Sequence, residues 1–225
     1  IEKRYFTKTG GTIWVNFTVS PLFKKDKKIA THIAIVEDIS ARKESEEVIK
    51  KSEIRFKSLF EDSPFPLWEE DFSEIKKHLE KLNLINENPQ TLALYFKTHP
   101  DLVDKCFSLL KIIDVNTMCL KLHKVKTKKE LILDHSQIID ENYISAFTKQ
   151  LIAITQGEKQ IIVDTKIKTS EGEYRDVNLR WSVIRGYEKT LERIILSTAD
   201  ITDRKSSESI SLKSKQRTES LINTI

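Results

Sequence analysis

Two stretches of this chain alternate apolar and polar residues with a period of two. Ile13, Val15, Phe17 and Val19 are interleaved with Trp14, Asn16, Thr18 and Ser20. Much further on, Val177, Leu179, Trp181 and Val183 are interleaved with Asn178, Arg180 and Ser182. This period predicts strands with one buried and one wetter face. Each stretch follows a turn, Thr9-Gly10-Gly11 or Ser170-Glu171-Gly172. Before the second turn Ile161, Val163, Thr165 and Ile167 alternate again. After each stretch comes a hairpin loop, Lys24-Lys25-Asp26-Lys27-Lys28 or Gly186-Tyr187-Glu188-Lys189, and then a further strand, Thr31 to Val36 or Arg193 to Thr198. Three consecutive antiparallel strands are predicted at each place.

The two places are copies. Laid on itself with an offset of 162 residues (200 minus 38), the chain matches at 18 of 63 positions. Chance gives about one in fifteen. Gly10 falls on Gly172, Asn16 on Asn178, Asp38-Ile39 on Asp200-Ile201 and Arg42-Lys43 on Arg204-Lys205. Ser52, Arg55 and Ser58-Leu59 meet Ser214, Arg217 and Ser220-Leu221. A structural unit thus ends twice and begins twice. The expected division is 1–40 as the three-strand remnant of a first unit, 41–60 as a linker helix, 61–205 as a complete unit, and 206–225 as a linker helix with the start of a third.

Between the copies the period lengthens. Ala41 to Phe60 has no Gly or Pro, and Ser45, Ile49, Ser52, Phe56 and Leu59 form a weak coiled-coil-like seam on a predicted helix. Pro64 and Pro66 stop it. Phe65 to Phe72 predicts a short strand. Ser73 predicts a helix cap, with Ile75, Leu79 and Leu82 on one face. Asn88-Pro89 starts another helix, broken and restarted at Thr98-His99-Pro100, and Leu109 to Val115 predicts a second strand. Asn116 caps a short helix, and Thr127-Lys128-Lys129-Glu130 reads as a capping box. Asp140 starts a longer helix carrying Ile144, Phe147, Leu151 and Ile154, which Gly157 ends.

Composition narrows the class. The 225 residues are 39% hydrophobic and 32% charged, which excludes disorder and fibrous chains. No run of 18 uncharged apolar residues exists, so no membrane insertion is expected in this segment. A net charge of +4 with interspersed signs gives no reason to expect a nucleic-acid partner. Two cysteines, Cys106 and Cys119, make no disulfide framework and fit a reducing, cytoplasmic setting. The first residue is not Met, so a piece of a longer chain is expected.

The element order and its ending resemble the PAS sensory family. Asp200-Ile201-Thr202-Asp203-Arg204-Lys205 is similar to that family's D-I-T-x-R-K ending, and Asp38-Ile39-Ser40-Ala41-Arg42-Lys43 is a second instance with Ser for Thr. Asp114-Val115-Asn116 resembles its D-x-N at the end of the second strand, and Thr127-Lys128-Lys129-Glu130-Leu131 its S/T-K-E-E-L element. Arg55 to Pro64 resembles the start of such a domain, and Leu67 to Ser73 a subset with helices between the first two strands. The resemblance covers about residues 55–205 in full and 1–43 as a remnant. It implies an α+β fold: a five-stranded antiparallel sheet, helices on one face, extra helices inserted between the first two strands, and flanking linker helices.

It also implies sensory signalling, with a histidine kinase or diguanylate cyclase output domain in the same chain and a homodimeric state. The expected signalling junction is Asp38, Ile39, Arg42, Lys43, Asp200, Ile201, Thr202, Arg204 and Lys205. Candidate pocket or core residues are Trp68, Asn116, Phe147, Ile154 and Trp181. The flavin type needs a Cys in an N-C-R-F-L-Q context, whereas Cys119 lies in Asn116-Thr117-Met118-Cys119-Leu120-Lys121. The haem type uses a His on the long helix, and Asp140 to Gln156 has none. No cofactor is therefore expected, and an unidentified small ligand is open.

The residues alone offer little other chemistry. No H-x-x-x-H, paired C-x-x-C or phosphate-cradling glycine motif exists, so no metal or catalytic site is expected. Glu69-Glu70-Asp71 could pass for an acidic site but reads better as a solvated strand end, His123 could be a ligand but reads better as a surface histidine, and the lysine runs at 24–28 and 124–129 read as solvated loops. A non-enzymatic sensory relay module is the leading expectation. A ligand-free dimerisation or spacer module is the alternative.

Overall fold

Turn glycines frame two separate sheets. Gly10 (φ +85°) and Gly172 (φ +83°) take the left-handed conformation that favours glycine, each closing a tight hairpin. In both hairpins the turn threonine donates and accepts across the turn: Thr7 N to Gly11 O at 2.8 Å, and Thr169 N to Glu173 O at 2.8 Å. The computed structural model describes residues 1–23, 25, 29–133 and 139–222, and the chain divides into two units, Ile1–Leu59 and Phe60–Ile225. Apart from Lys25, the hairpin loop expected at 24–28 lies outside the described residues, as does the end of the segment expected to begin a third unit.

The first unit is a three-stranded antiparallel sheet of β1 (Glu2–Phe6), β2 (Thr12–Phe23) and β3 (Ile29–Asp38), in that order. Helix α1 (Ser40–Glu61) follows directly. Val15 is buried, Ile13 and Phe17 are half-buried, and Val19 is exposed.

The second unit holds a five-stranded antiparallel sheet in the order β5-β4-β8-β7-β6. The strands are β4 (Leu67–Asp71), β5 (Lys111–Val115), β6 (Gln160–Lys168), β7 (Tyr174–Val183) and β8 (Ile194–Asp200). Helices α2 (Ser73–Lys81), α3 (Pro89–Thr98) and α4 (Pro100–Leu109) are inserted between β4 and β5. Then come α5 (Thr117–His123), α6 (Lys128–Leu133), α7 (Glu141–Thr155) and, after β8, α8 (Thr202–Ile222). The expected fold class is thus the observed one.

Local chemistry sets most boundaries. Asn88 Oδ1 accepts from the amides of Gln90 (2.9 Å) and Thr91 (3.3 Å) and caps α3. Asp140 Oδ1 accepts from Tyr143 N at 2.9 Å and caps α7. The cap expected of Ser73 is supplied by its neighbour instead, since Asp71 Oδ1 accepts the Ser73 amide at 2.8 Å. Two expected core positions are exposed. Leu82 lies just past the end of α2. Ile144 sits beside the buried stripe of α7, which runs through Ala146, Phe147, Gln150, Leu151 and Ile154. The core between helices and sheet is built on Phe72, Ile75, Leu79, Phe96, Leu151 and Trp181. No helix among the described residues is long and apolar enough to cross a membrane.

Candidate functional site

Each sheet hands over to a helix through the same set of bonds. Asp38 ends β3 and its Oδ1 accepts the Ser40 amide at 2.9 Å; Asp200 ends β8 and its Oδ1 accepts the Thr202 amide at 2.9 Å. Ile39 N donates to Trp14 O at 2.9 Å, and Ile201 N to Asp176 O at 2.8 Å. Ser40 Oγ accepts from Trp14 N at 2.9 Å, and Thr202 Oγ1 from Asp176 N at 3.0 Å. Lys43 Nζ pairs with Glu2 at 2.6 Å, and Lys205 Nζ with Asp164 at 3.2 Å. Arg42 and Arg204 lie near Glu46 and Glu208 one helical turn on, at 3.9 and 3.7 Å. In both junctions the isoleucine is buried. A carboxylate at a helix start is favoured by the dipole and by the free amides there. The Ser40 hydroxyl and amide hold the Asp38 carboxyl below its ordinary value.

Behind the second junction lies an interior cavity. Its volume is about 40 Å³. Trp68 and Glu70 reach it from β4, Leu196 and Thr198 from β8, His123 from α5, and Tyr143, Phe147 and Gln150 from α7. Trp68 and Glu70 share one face of β4 because they are two residues apart. The His123 ring meets Trp68 edge-on, with centroids 5.4 Å apart and an interplanar angle of 84°. Glu70 is 3% exposed and His123 is 4% exposed. Burial pushes the Glu70 carboxyl up to about 8 and the His123 imidazole down to about 4, so both are neutral at pH 7. Burial also raises the Tyr143 hydroxyl.

These two residues correct the sequence reading. Glu69-Glu70-Asp71 is no solvated strand end: Glu69 is buried and bonded to Arg193, and Glu70 faces the cavity. His123 is no surface residue, because α5 turns it inward against Trp68. The signals that could have revealed them were the shared strand parity of Trp68 and Glu70, and the four-residue spacing that puts Cys119 and His123 on one helical face. The lysines also differ from a solvated loop: Lys124 pairs with Glu173 at 2.9 Å and Lys128 with Asp114 at 2.9 Å.

Of the candidate pocket residues, the structure brings Trp68 and Phe147 to the cavity. Ile154 and Trp181 lie in the core, with Trp181 edge-on to Phe72 at 5.7 Å. Asn116 is fully buried at the start of α5 and every polar atom is used. Its Nδ2 donates to Phe60 O (3.0 Å) and Phe65 O (2.8 Å), and its Oδ1 accepts from Leu67 N (3.0 Å) and Cys119 N (3.1 Å). Burial pushes the Cys106 and Cys119 thiols up to about 11 and about 12, which makes both poor nucleophiles. Among the described residues no three His, Cys, Asp or Glu side chains gather as metal ligands.

Residues 1–41 match the family model described as PAS domain. No curated protein matches the chain. Similar solved structures include the PAS domain of an HTR-like protein from Haloarcula marismortui, at 14% identity, covering 71% of this chain and 99% of that one, with a TM-score of 0.43. The PAS domain of a protein from Colwellia psychrerythraea is 13% identical over 69% of this chain and 98% of that one, with a TM-score of 0.43. The PAS domain of Bordetella pertussis BvgS is 13% identical over 74% and 98%, with a TM-score of 0.40. The five-stranded antiparallel sheet of the second unit, with helices between its first two strands, is the arrangement that the PAS resemblance implied.

Proposed function

We propose that this chain is a sensory relay segment of a larger signalling protein, built from repeated PAS modules. Residues 1–40 close one module, 61–205 form a whole one, and 41–60 and 206–225 link them to their neighbours. A small molecule in the cavity of the second unit biases the packing of α7 on the sheet, and β8 carries that bias into α8. One observation supports this above the rest. Leu196 and Thr198 line the cavity, and Asp200, the next residue of the same parity on β8, holds the first turn of α8 through Thr202. A cavity with two unpartnered polar atoms also fits a ligand-responsive module better than a spacer. Switching of this kind needs a coupling of only about 1–3 kcal/mol.

In this reading the output is a histidine kinase or cyclase domain of the same protein, and the segment itself is not an enzyme. It carries no resident flavin or haem, binds no nucleic acid and works in the cytoplasm as a homodimer, with exposed Ile49 and Leu59 on α1 available to a second copy. The test is Asp200→Ala in the full-length protein, with the ligand response of the output as readout. The expected result is a folded protein whose output no longer responds. A folded variant with an unchanged response overturns the reading.

A further inference from the structure

The cavity wall is apolar and aromatic except at a few side chains, and two of these stand out. Glu70 Oε2 and His123 Nδ1 are buried, lie on residues that line the cavity, and have no hydrogen-bond partner among the described residues. A buried polar group without a partner is costly, so an occupant able to bond both is favoured. Among the described residues no lysine or arginine lines the cavity. An anion there meets a carboxyl and no cation. A cation has to ionise Glu70, against the desolvation that already holds its proton. An uncharged molecule meets neither cost.

The shape of the opportunity is specific. A protonated carboxyl sets an O–H donor beside a C=O acceptor, which complements a C=O beside an N–H. The space of about 40 Å³ corresponds to about three waters, or three to four non-hydrogen atoms. Other titratable groups near Glu70 stay uncharged around neutrality: His123 on α5, Tyr143 on α7 and Cys119 on α5, each shifted by burial toward its neutral form. Its strand partners on β5 and β8, Ile112 and Ile194, are apolar.

We propose that this cavity binds a small uncharged amide of acetamide or urea size, paired through the Glu70 carboxyl with a second hydrogen bond to His123. The proposal rests on the sensory reading of the second unit and names the chemical class it senses. The test titrates acetamide into the 225-residue chain and follows the His123 ring by NMR, with ethanol, methylammonium and acetate as parallel probes. Acetamide is expected to give a saturable shift at pH 6.5, with affinity falling about tenfold per pH unit above about 8 as the carboxyl ionises. Glu70→Gln keeps a donor beside an acceptor, so it retains binding but loses the pH dependence. Glu70→Met, of similar size, weakens binding at least about tenfold.

Should Glu70→Met fail to fold, the wild-type pH profile and Glu70→Gln decide alone. Pure water occupancy, with no shift from any of the four probes, overturns both this proposal and the sensory reading. A shift from ethanol, methylammonium or acetate without one from acetamide overturns the amide class and leaves the sensory reading standing.

Discussion

The two units carry the same sheet positions under different cover. Val15 and Val177, 162 residues apart, are both buried. Further along the same strand they part: Val19 is 47% exposed, while its counterpart Trp181 is 0% exposed. On the last strand Val36 is 51% exposed and its counterpart Thr198 is 4% exposed. The strands, their register and the junction bonds are alike, so these are properties of the local sequence. In the second unit residues that arrive from far along the chain close over the same face, and Tyr143 and Phe147 of α7 and His123 of α5 line the cavity together with Thr198. A sheet face encloses a cavity only once distant residues are laid over it.

That contrast can be broken at graded strengths. The largest effect is expected from truncating the matched pair Val19 and Trp181. Trp181→Ala should cost about 3–5 kcal/mol in chemical denaturation, and Val19→Ala less than about 0.5. Equal losses would mean that the first unit's face is also covered.

The next effect is electrostatic. The Glu70 pKa is raised by burial from 4.5 to about 8, so its contribution to stability is intact below 4.5 and is lost as pH rises toward 8. Glu70→Gln should therefore flatten the alkaline limb of the melting-temperature profile and melt above the wild type beyond pH 8. His123 has the opposite sign, being lowered from 6.5 to about 4, so its contribution is lost as pH falls through that window. That acid limb should survive in Glu70→Gln. An unchanged alkaline limb would mean that Glu70 is solvated. The smallest effect tests the likeness itself: Asp38→Ala and Asp200→Ala should each speed the hydrogen exchange of the first turn of the following helix, and to a similar degree.

The junctions were legible because their chemistry is local. Asp38 and Ser40 act within two residues of each other and on the strand beside them, and the pattern recurs at Asp200 with Thr202 in place of Ser40. Asn88, Asn116 and Asp140 announced their helices for the same reason. The cavity was not legible, because what buries Glu70 is contributed by residues dozens of positions away. An acidic triplet with no known neighbours reads as water-facing, and a lone histidine likewise. Ser73 was misjudged by two positions, since Asp71 supplies the competing oxygen.

The amide of Asn116 has no spare capacity, and this sets a narrow tolerance on what may replace it. Aspartate has its outline but cannot donate, so Phe60 and Phe65 would each keep a carbonyl facing an oxygen that repels it. Glutamine has the right atoms one methylene too far out. A single side chain thus fastens the end of α1, the approach to β4 and the start of α5 like a rivet through three plates, and it gives way everywhere at once.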